Sequence, residues 1–221
     1  MIEFWNSIIW LLVAGLIGFF VSFVFSGVLK FSRRIFLLPY LGIIAIYITA
    51  FFWLNNIVIK ELLSNNLILG ILAGIAVGIF LITNVFSQPS SRKSKGLLLI
   101  IDILWIGLIY GILDAFFLNI IPVLIVERAV PQIWMTEWLP YLGVEALALT
   151  ASLIVVLVYH LGYSEFRNKK VFPVIFGNAL ITVAFLSSSN PIGAIISHVV
   201  MHIAAVVRGP ETTIQLPPHK E

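Results

Sequence analysis

The sequence predicts an all-α fold, a polytopic bundle of about seven transmembrane helices. Three observations carry that prediction. Of 221 residues, 61% are hydrophobic and only 10% are charged, about half the charged share of a soluble domain. Apolar runs of about twenty residues, the length needed to cross a bilayer, recur from end to end. The basic residues gather in alternate loops, as the positive-inside rule requires.

The spans fall at about 4–29, 35–54, 67–86, 97–126, 139–163, 171–187 and 191–207. The first starts acidic with Glu3, lacks a basic leader and runs long before Lys30. It therefore reads as a retained span, not a cleavable signal peptide. Lys30, Arg33 and Arg34 follow span one, and Arg92, Lys93 and Lys95 follow span three. Arg167, Lys169 and Lys170 follow span five, and Arg208 and Lys220 follow span seven; the other side has Lys60 and Arg128. The expected orientation has the N-terminus outside and the C-terminus in the cytoplasm, as a multi-pass protein of the cell (plasma) membrane. Trp5, Trp53, Trp134 and Trp138 then form an interfacial belt at the outer span ends. The basic segment SQPSSRKSKG at 87–96 reads as a cytoplasmic linker, ERAVPQIWMTEW at 127–138 as an outer interfacial segment, and 209–221 as an extended cytoplasmic tail.

Small residues mark close helix approaches: Gly70, Gly74 and Gly78 on span three, Gly18, Ser22 and Ser26 on span one, Gly107, Gly111 and Ala115 on span four. The intramembrane ionisable groups lie further on. Residues 1–96 are accordingly read as three supporting helices, 97–208 as the working core and 209–221 as the tail. The chain has no cysteine, which excludes thiolate chemistry and thiolate metal ligands. A net charge of +3 gives no reason to expect nucleic acid as a partner.

Within the spans the ionisable candidates are Asp102, Asp114, Glu145, His160, His198 and His202, with Asn119 and Asn178 as further polar groups. Such groups near the bilayer centre cost several kcal/mol unless they meet partners or water. His198 and His202 are four apart, so their imidazoles share one helix face. At about 1.5 Å per residue, His202 lies ~9 Å from Arg208 and His160 at a similar depth from Arg167. The three histidines are expected to form one cluster in the cytoplasmic half of the membrane. With a carboxylate from Asp114 or Asp102, that set suits zinc or another divalent metal, and a hydrolytic water at neutral pH. Glu145 is expected to be an interhelical hydrogen-bonding group on the outer half, and Asn178 with Thr182 interhelical glue. Asp102 and Asp114 share a helix about 18 Å apart and cannot form an aspartyl dyad. The serines at 187–189 lie too far from His160 by depth for a serine–histidine pair.

These residues resemble the CPBP family, the CAAX-prenyl protease-like and bacteriocin-processing intramembrane proteins. Its pattern is a glutamate pair followed by arginine, then F-x-x-x-H, then a last helix with H-x-x-x-N or H-x-x-x-D. ASLIVVLVYHLGY looks like the second motif, with His160 in place and Val156 at the phenylalanine. NPIGAIISHVVMHIAAV looks like the third, with His198 in place and His202 at the Asn/Asp position. DAFFLN at 114–119 would sit on the first, leaving Asp114 for the first glutamate, Ala115 for the second and Asn119 for arginine. The resemblance covers about 97–207. It implies an intramembrane protease whose acidic residue activates water, with Asp114, His160, His198 and His202 as catalytic residues or metal ligands, and a membrane-embedded or lipidated peptide as substrate among membrane lipids. Two other readings stay open: a proton- or cation-linked transporter using the same groups, and a non-catalytic membrane scaffold of the same fold.

Overall fold

In the computed structural model, which describes residues 2–131, 136–209 and 214–216, the described chain is helical and contains no strand. Helix α1 (Ile2–Val21) runs on as a π-helical stretch, Ser22–Val28. Helix α2 is Arg33–Leu54, α3 the short Ile59–Ser64 and α4 Leu67–Ser87. Helix α5 is one unbroken rod, Leu97–Ala129. It is followed by α6 (Trp138–Leu161), α7 (Val171–Leu186) and α8 (Ile192–Arg208). Five of these helices are long and apolar enough to cross a membrane: α1 with its extension, α2, α4, α5 and α6; α7 and α8 are apolar but shorter, at 16 and 17 residues. Trp134, Lys220 and most of the tail lie outside the described residues.

The outer surface is that of a lipid-facing bundle. Leu16 is 70% exposed, Ile46 71%, Ile68 76% and Trp53 76%, which only an apolar solvent tolerates on this scale. Polar side chains are drawn inward instead. Their hydrogen bonds tie helix to helix: Ser22 Oγ donates to the Tyr159 carbonyl (2.8 Å), and Ser152 Oγ to the Leu118 carbonyl (2.8 Å). The second bond falls where Pro122, lacking an N–H, can return nothing to the preceding turn of α5.

Helix α8, which carries the histidine pair, is gripped by glycine faces. A Cβ at Gly74 would sit 2.9 Å from Ile196 Cβ and 3.0 Å from the Gly193 carbonyl oxygen. From the other side, a Cβ at Gly111 of α5 would sit 3.0 Å from Val199 Cα, and one at Gly107 2.7 Å from Ile203 Cγ1. The stripes on α4 and α5 therefore set α8 at backbone contact distance, the small-residue packing expected where no hydrophobic force joins helices in lipid. At its start, Asn190 Oδ1 accepts the Ile192 N–H (2.8 Å) while its amide nitrogen donates to the Leu63 carbonyl (2.9 Å).

The basic end of the bundle is closed by polar ties. Arg34 forks onto both oxygens of Asp102 (2.8 Å each), which also accepts from Ser94 Oγ (2.6 Å). Asp102 is thus paired with a base from the first turn of α2 and is not part of the histidine site. Arg208 donates twice to the Gln88 carbonyl, and Lys93 Nζ to that of Val207.

Replacing Gly74 with alanine forces α4 and α8 apart and should cost about 1–3 kcal/mol. Gly42, whose Cβ would meet nothing within 4 Å, should instead gain roughly 0.5–1 kcal/mol as alanine. Thermal unfolding in detergent of Gly74→Ala and Gly42→Ala checks this; equal midpoints would dismiss the backbone-contact account.

Candidate metal centre

Asp114 sits where the winding of α5 changes. An α-helical turn, Tyr110–Asp114, lies between two π-helical stretches, Ile103–Ile109 and Ala115–Ile120. Widened turns of this kind re-aim side chains and recur at functional sites. The carboxylate, 3% exposed, points across the bundle at α8, where His198 and His202 are each 1% exposed. Asp114 Oδ2 lies 3.2 Å from His198 Nε2 and 3.6 Å from His202 Nε2. The two imidazoles stack nearly parallel, 12° apart, with centroids 4.8 Å apart, as the four-residue spacing on one face dictates. One ligand atom from each of the three residues lies within 4.8 Å of the others, so the group could hold a metal ion.

The hydrogen bonds around the group fix its atoms. Asn119 points its amide nitrogen at the Thr182 hydroxyl (2.9 Å) and the Asn178 carbonyl (3.3 Å). Since a carbonyl can only accept, Asn119 Oδ1 is the atom facing His198 Nδ1 at 3.0 Å, and Nδ1 must donate. In the neutral imidazole this leaves a bare lone pair on Nε2, aimed at a carboxylate oxygen. Two acceptors at 3.2 Å repel unless a proton or a cation lies between them. Tetrahedral zinc ligands at about 2.0–2.1 Å stand ~3.3 Å from one another, and the two measured separations bracket that figure. His202 makes the same point differently: both its ring nitrogens are buried with no hydrogen-bond partner among the described residues, a costly condition that a bound ion or water removes. Asp114 Oδ1, the other carboxylate oxygen, accepts a short hydrogen bond from Tyr40 on α2.

The expected three-imidazole cluster takes a different form. His160 lines the same cavity but is not among the converging ligand atoms; Asp114 takes its place in the triad. The reason is local: His160 Nδ1 donates to the Val156 carbonyl (2.7 Å), and the ring is boxed edge-on by Tyr159 and Phe166. That tautomer leaves Nε2 free of its proton, suited to accept one. Of the two carboxylates weighed as the histidines' partner, Asp114 is the one. Glu145 lies at the opposite end of the bundle, within electrostatic reach of Glu127 and Tyr141, and its Oε2 is buried without a hydrogen bond.

Sequence reasoning did not single out the tyrosines. Tyr40, Tyr110, Tyr159 and Tyr163 are all fully buried. Tyr163 donates to the Tyr159 hydroxyl (2.7 Å), which lies 3.0 Å from that of Tyr110, and the Tyr110 ring packs on His202. The pocket that Tyr110 borders has a volume of about 80 Å³, room for a few waters. Phe80 of α4 and Phe176 of α7 meet edge to face at its lipid-side rim. A larger groove of about 630 Å³ between α1, the end of α5 and α6 has no ionisable residue among its described lining.

Purified protein should carry about one zinc or similar divalent ion per chain, lost in a His198→Ala/His202→Ala double variant, by elemental analysis. Asn119→Ala, which frees the His198 ring, should weaken binding about 10–100-fold; unchanged affinity would remove Asn119 from the site. No protein-family model, curated protein or solved structure matches this chain.

Proposed function

We propose that the protein is an intramembrane metal-dependent hydrolase, a protease resembling the CPBP family, with seven spans and a site opening to the cytoplasmic half of the plasma membrane. The observation that supports it most is the convergence of Asp114 Oδ2 with the Nε2 atoms of His198 and His202 in a buried, water-sized pocket. A divalent cation held there would supply Lewis acidity to a water and to a peptide carbonyl. The chain's own residues do the remainder. Asn119 orients His198 through Nδ1, and Tyr40 holds the far oxygen of Asp114, so neither ligand can swing away. His160, its Nδ1 committed to Val156, presents a bare Nε2 ring edge to the pocket and is the residue suited to take a proton from water. The apolar wall built by Phe80, Leu81 and Phe176 excludes bulk water and faces the side from which a membrane-embedded peptide would enter.

The positive-inside asymmetry supports an orientation with the basic end, and with it the pocket mouth, toward the cytoplasm. The substrate class is a membrane-embedded or lipidated peptide, met in the lipid phase. In a peptide-cleavage assay in proteoliposomes, Asp114→Ala and His198→Ala should each abolish hydrolysis with the chain still folded. Glu145→Gln, far from the pocket, should leave the rate unchanged. Undiminished cleavage in both site variants would sink the proposal, and a pH-driven ion flux lost in Asp114→Ala would favour a carrier instead.

A further inference from the structure

The pocket that holds the histidines is bordered at the basic end by the chain's own tail. Ile214 and Gln215 line it together with Asp114, His160 and His202. The neighbouring Leu216 is fully buried, an uncommon place for a residue in so polar a segment. The segment's main chain is held by side chains of the helical body. Gln88 Oε1 accepts the Ile214 N–H (3.3 Å), and Arg33 Nη2 donates to the Leu216 carbonyl (2.9 Å). Gln88 also donates through Nε2 to Gln215 Oε1 (3.2 Å), and its own carbonyl is clamped by Arg208 at 2.7 and 2.9 Å. The turn that leaves α8 has Gly209 at φ +126°, packed so tightly on Ser91 that no Cβ would fit.

A donor for a carbonyl, an acceptor for an N–H and a socket for an apolar side chain are what reads a peptide by its backbone rather than by its sequence. Arg33 is itself 3% exposed, so this reader is built into the bundle and is not a surface accident. We propose that the cleft formed by Gln88, Arg33 and the Leu216 socket is the peptide-docking subsite of the metal pocket, and that residues 214–216 are its resident occupant, displaced when a substrate peptide binds. The occupant is this chain's own tail, and the ligand it stands in for is a peptide that turns in the cleft, with an apolar residue two positions beyond its Gln88-bound N–H. The inference rests on the reading of the pocket as the reaction site.

The chain's lack of cysteine gives a direct test in the full-length protein. Met201 lines the pocket and is 6% exposed, so Met201→Cys reports access through its rate of maleimide labelling. Two changes release the tail by different means: Leu216→Asp charges the socket, and Ile214→Pro removes the N–H that Gln88 accepts. Either should speed labelling about tenfold or more, the scale set by losing one buried leucine. A synthetic peptide of sequence 209–221 added to the Leu216→Asp protein should return the rate to that of the parent, and a scrambled peptide should not. A second reporter, Ala148→Cys, buried on α6 outside the pocket lining, should stay slow throughout. Unchanged labelling in both release variants, equal protection by the scrambled peptide, or parallel speeding of Ala148→Cys would each overturn the proposal. Labelling needs neither metal nor hydrolysis, so a protein that cleaves nothing can still show the displaceable tail. A failure here likewise leaves the hydrolase reading standing.

Discussion

Everything at the centre of this bundle answers to one carboxylate. An Asp114 side chain at 3% exposure inside an apolar helix packing would cost several kcal/mol if ionised and alone. It is met on one oxygen by the Tyr40 hydroxyl and on the other by two imidazoles, so three helices, α2, α5 and α8, are committed to its position. Those partners need positioning too. His198 is held by Asn119, Asn119 by Thr182 and the Asn178 carbonyl, and Thr182 lies 2.9 Å from Ser152 Oγ. The chain of polar groups therefore runs from the site through α5, α7 and α6. A fully satisfied polar network in a low-dielectric interior rigidifies what it joins; the unsatisfied nitrogens of His202 are where this one is left open for a ligand.

Such a network works only if the helices stand close enough, and that distance is set by glycine. With Gly74 against the Gly193 carbonyl and Gly111 against Val199 Cα, α8 is wedged between α4 and α5 at a fixed height. The π-helical stretches on either side of Tyr110–Asp114 then turn the aspartate toward α8 without breaking the rod. Packing that does no chemistry decides whether an oxygen and two nitrogens meet at 3.2 and 3.6 Å or miss one another.

This division explains what could be read in advance. Helix positions followed from apolar run lengths, and five of the helices have the length and character to cross a membrane. Depth counting from the flanking arginines put His160, His198 and His202 near one level and left their carboxylate open between Asp114 and Asp102, because depth is a sequence quantity at a fixed rise per residue. Rotation about the helix axis is not, and two surprises are rotational. His160 lies at the right depth but gives Nδ1 to its own helix at Val156, while the widened turns of α5 shift every later side chain. Tyr40 was open to the same counting, six residues from Arg34 and so about 9 Å in, level with His202; a tyrosine there is too deep for an interfacial belt. The glycine stripe of α4, read as part of a supporting half, in fact seats the histidine helix, which a stripe alone cannot announce because it does not name its partner.

Polar groups lie on both sides of Asp114 but are used differently on each, and this bears on what the site can do. Along α5 from Asp114 toward Glu127 the core side chains are Phe117, Leu118 and Ile121 with the polar Asn119 among them, all at 0% exposure, and on α7 Ile181 and Phe185 flank Asn178 and Thr182. Toward the basic end the same pocket borders Asn84 and Gln215, with Gln88 and Arg33 just beyond. On the Glu127 side the polar groups Asn119, Thr182 and Ser152 are spent on one another and on backbone carbonyls, while toward the basic end polar side chains border the pocket itself. A carrier needs groups that hand its cargo through both halves; a hydrolase needs a dry wall behind the reacting atoms and one wet entrance. On the Glu127 side the polar groups are already bonded to one another and offer a cargo nothing, which is why we favour the hydrolase reading. The polar end of the pocket also accounts for a tail that reads as solvent-exposed by composition burying a leucine there.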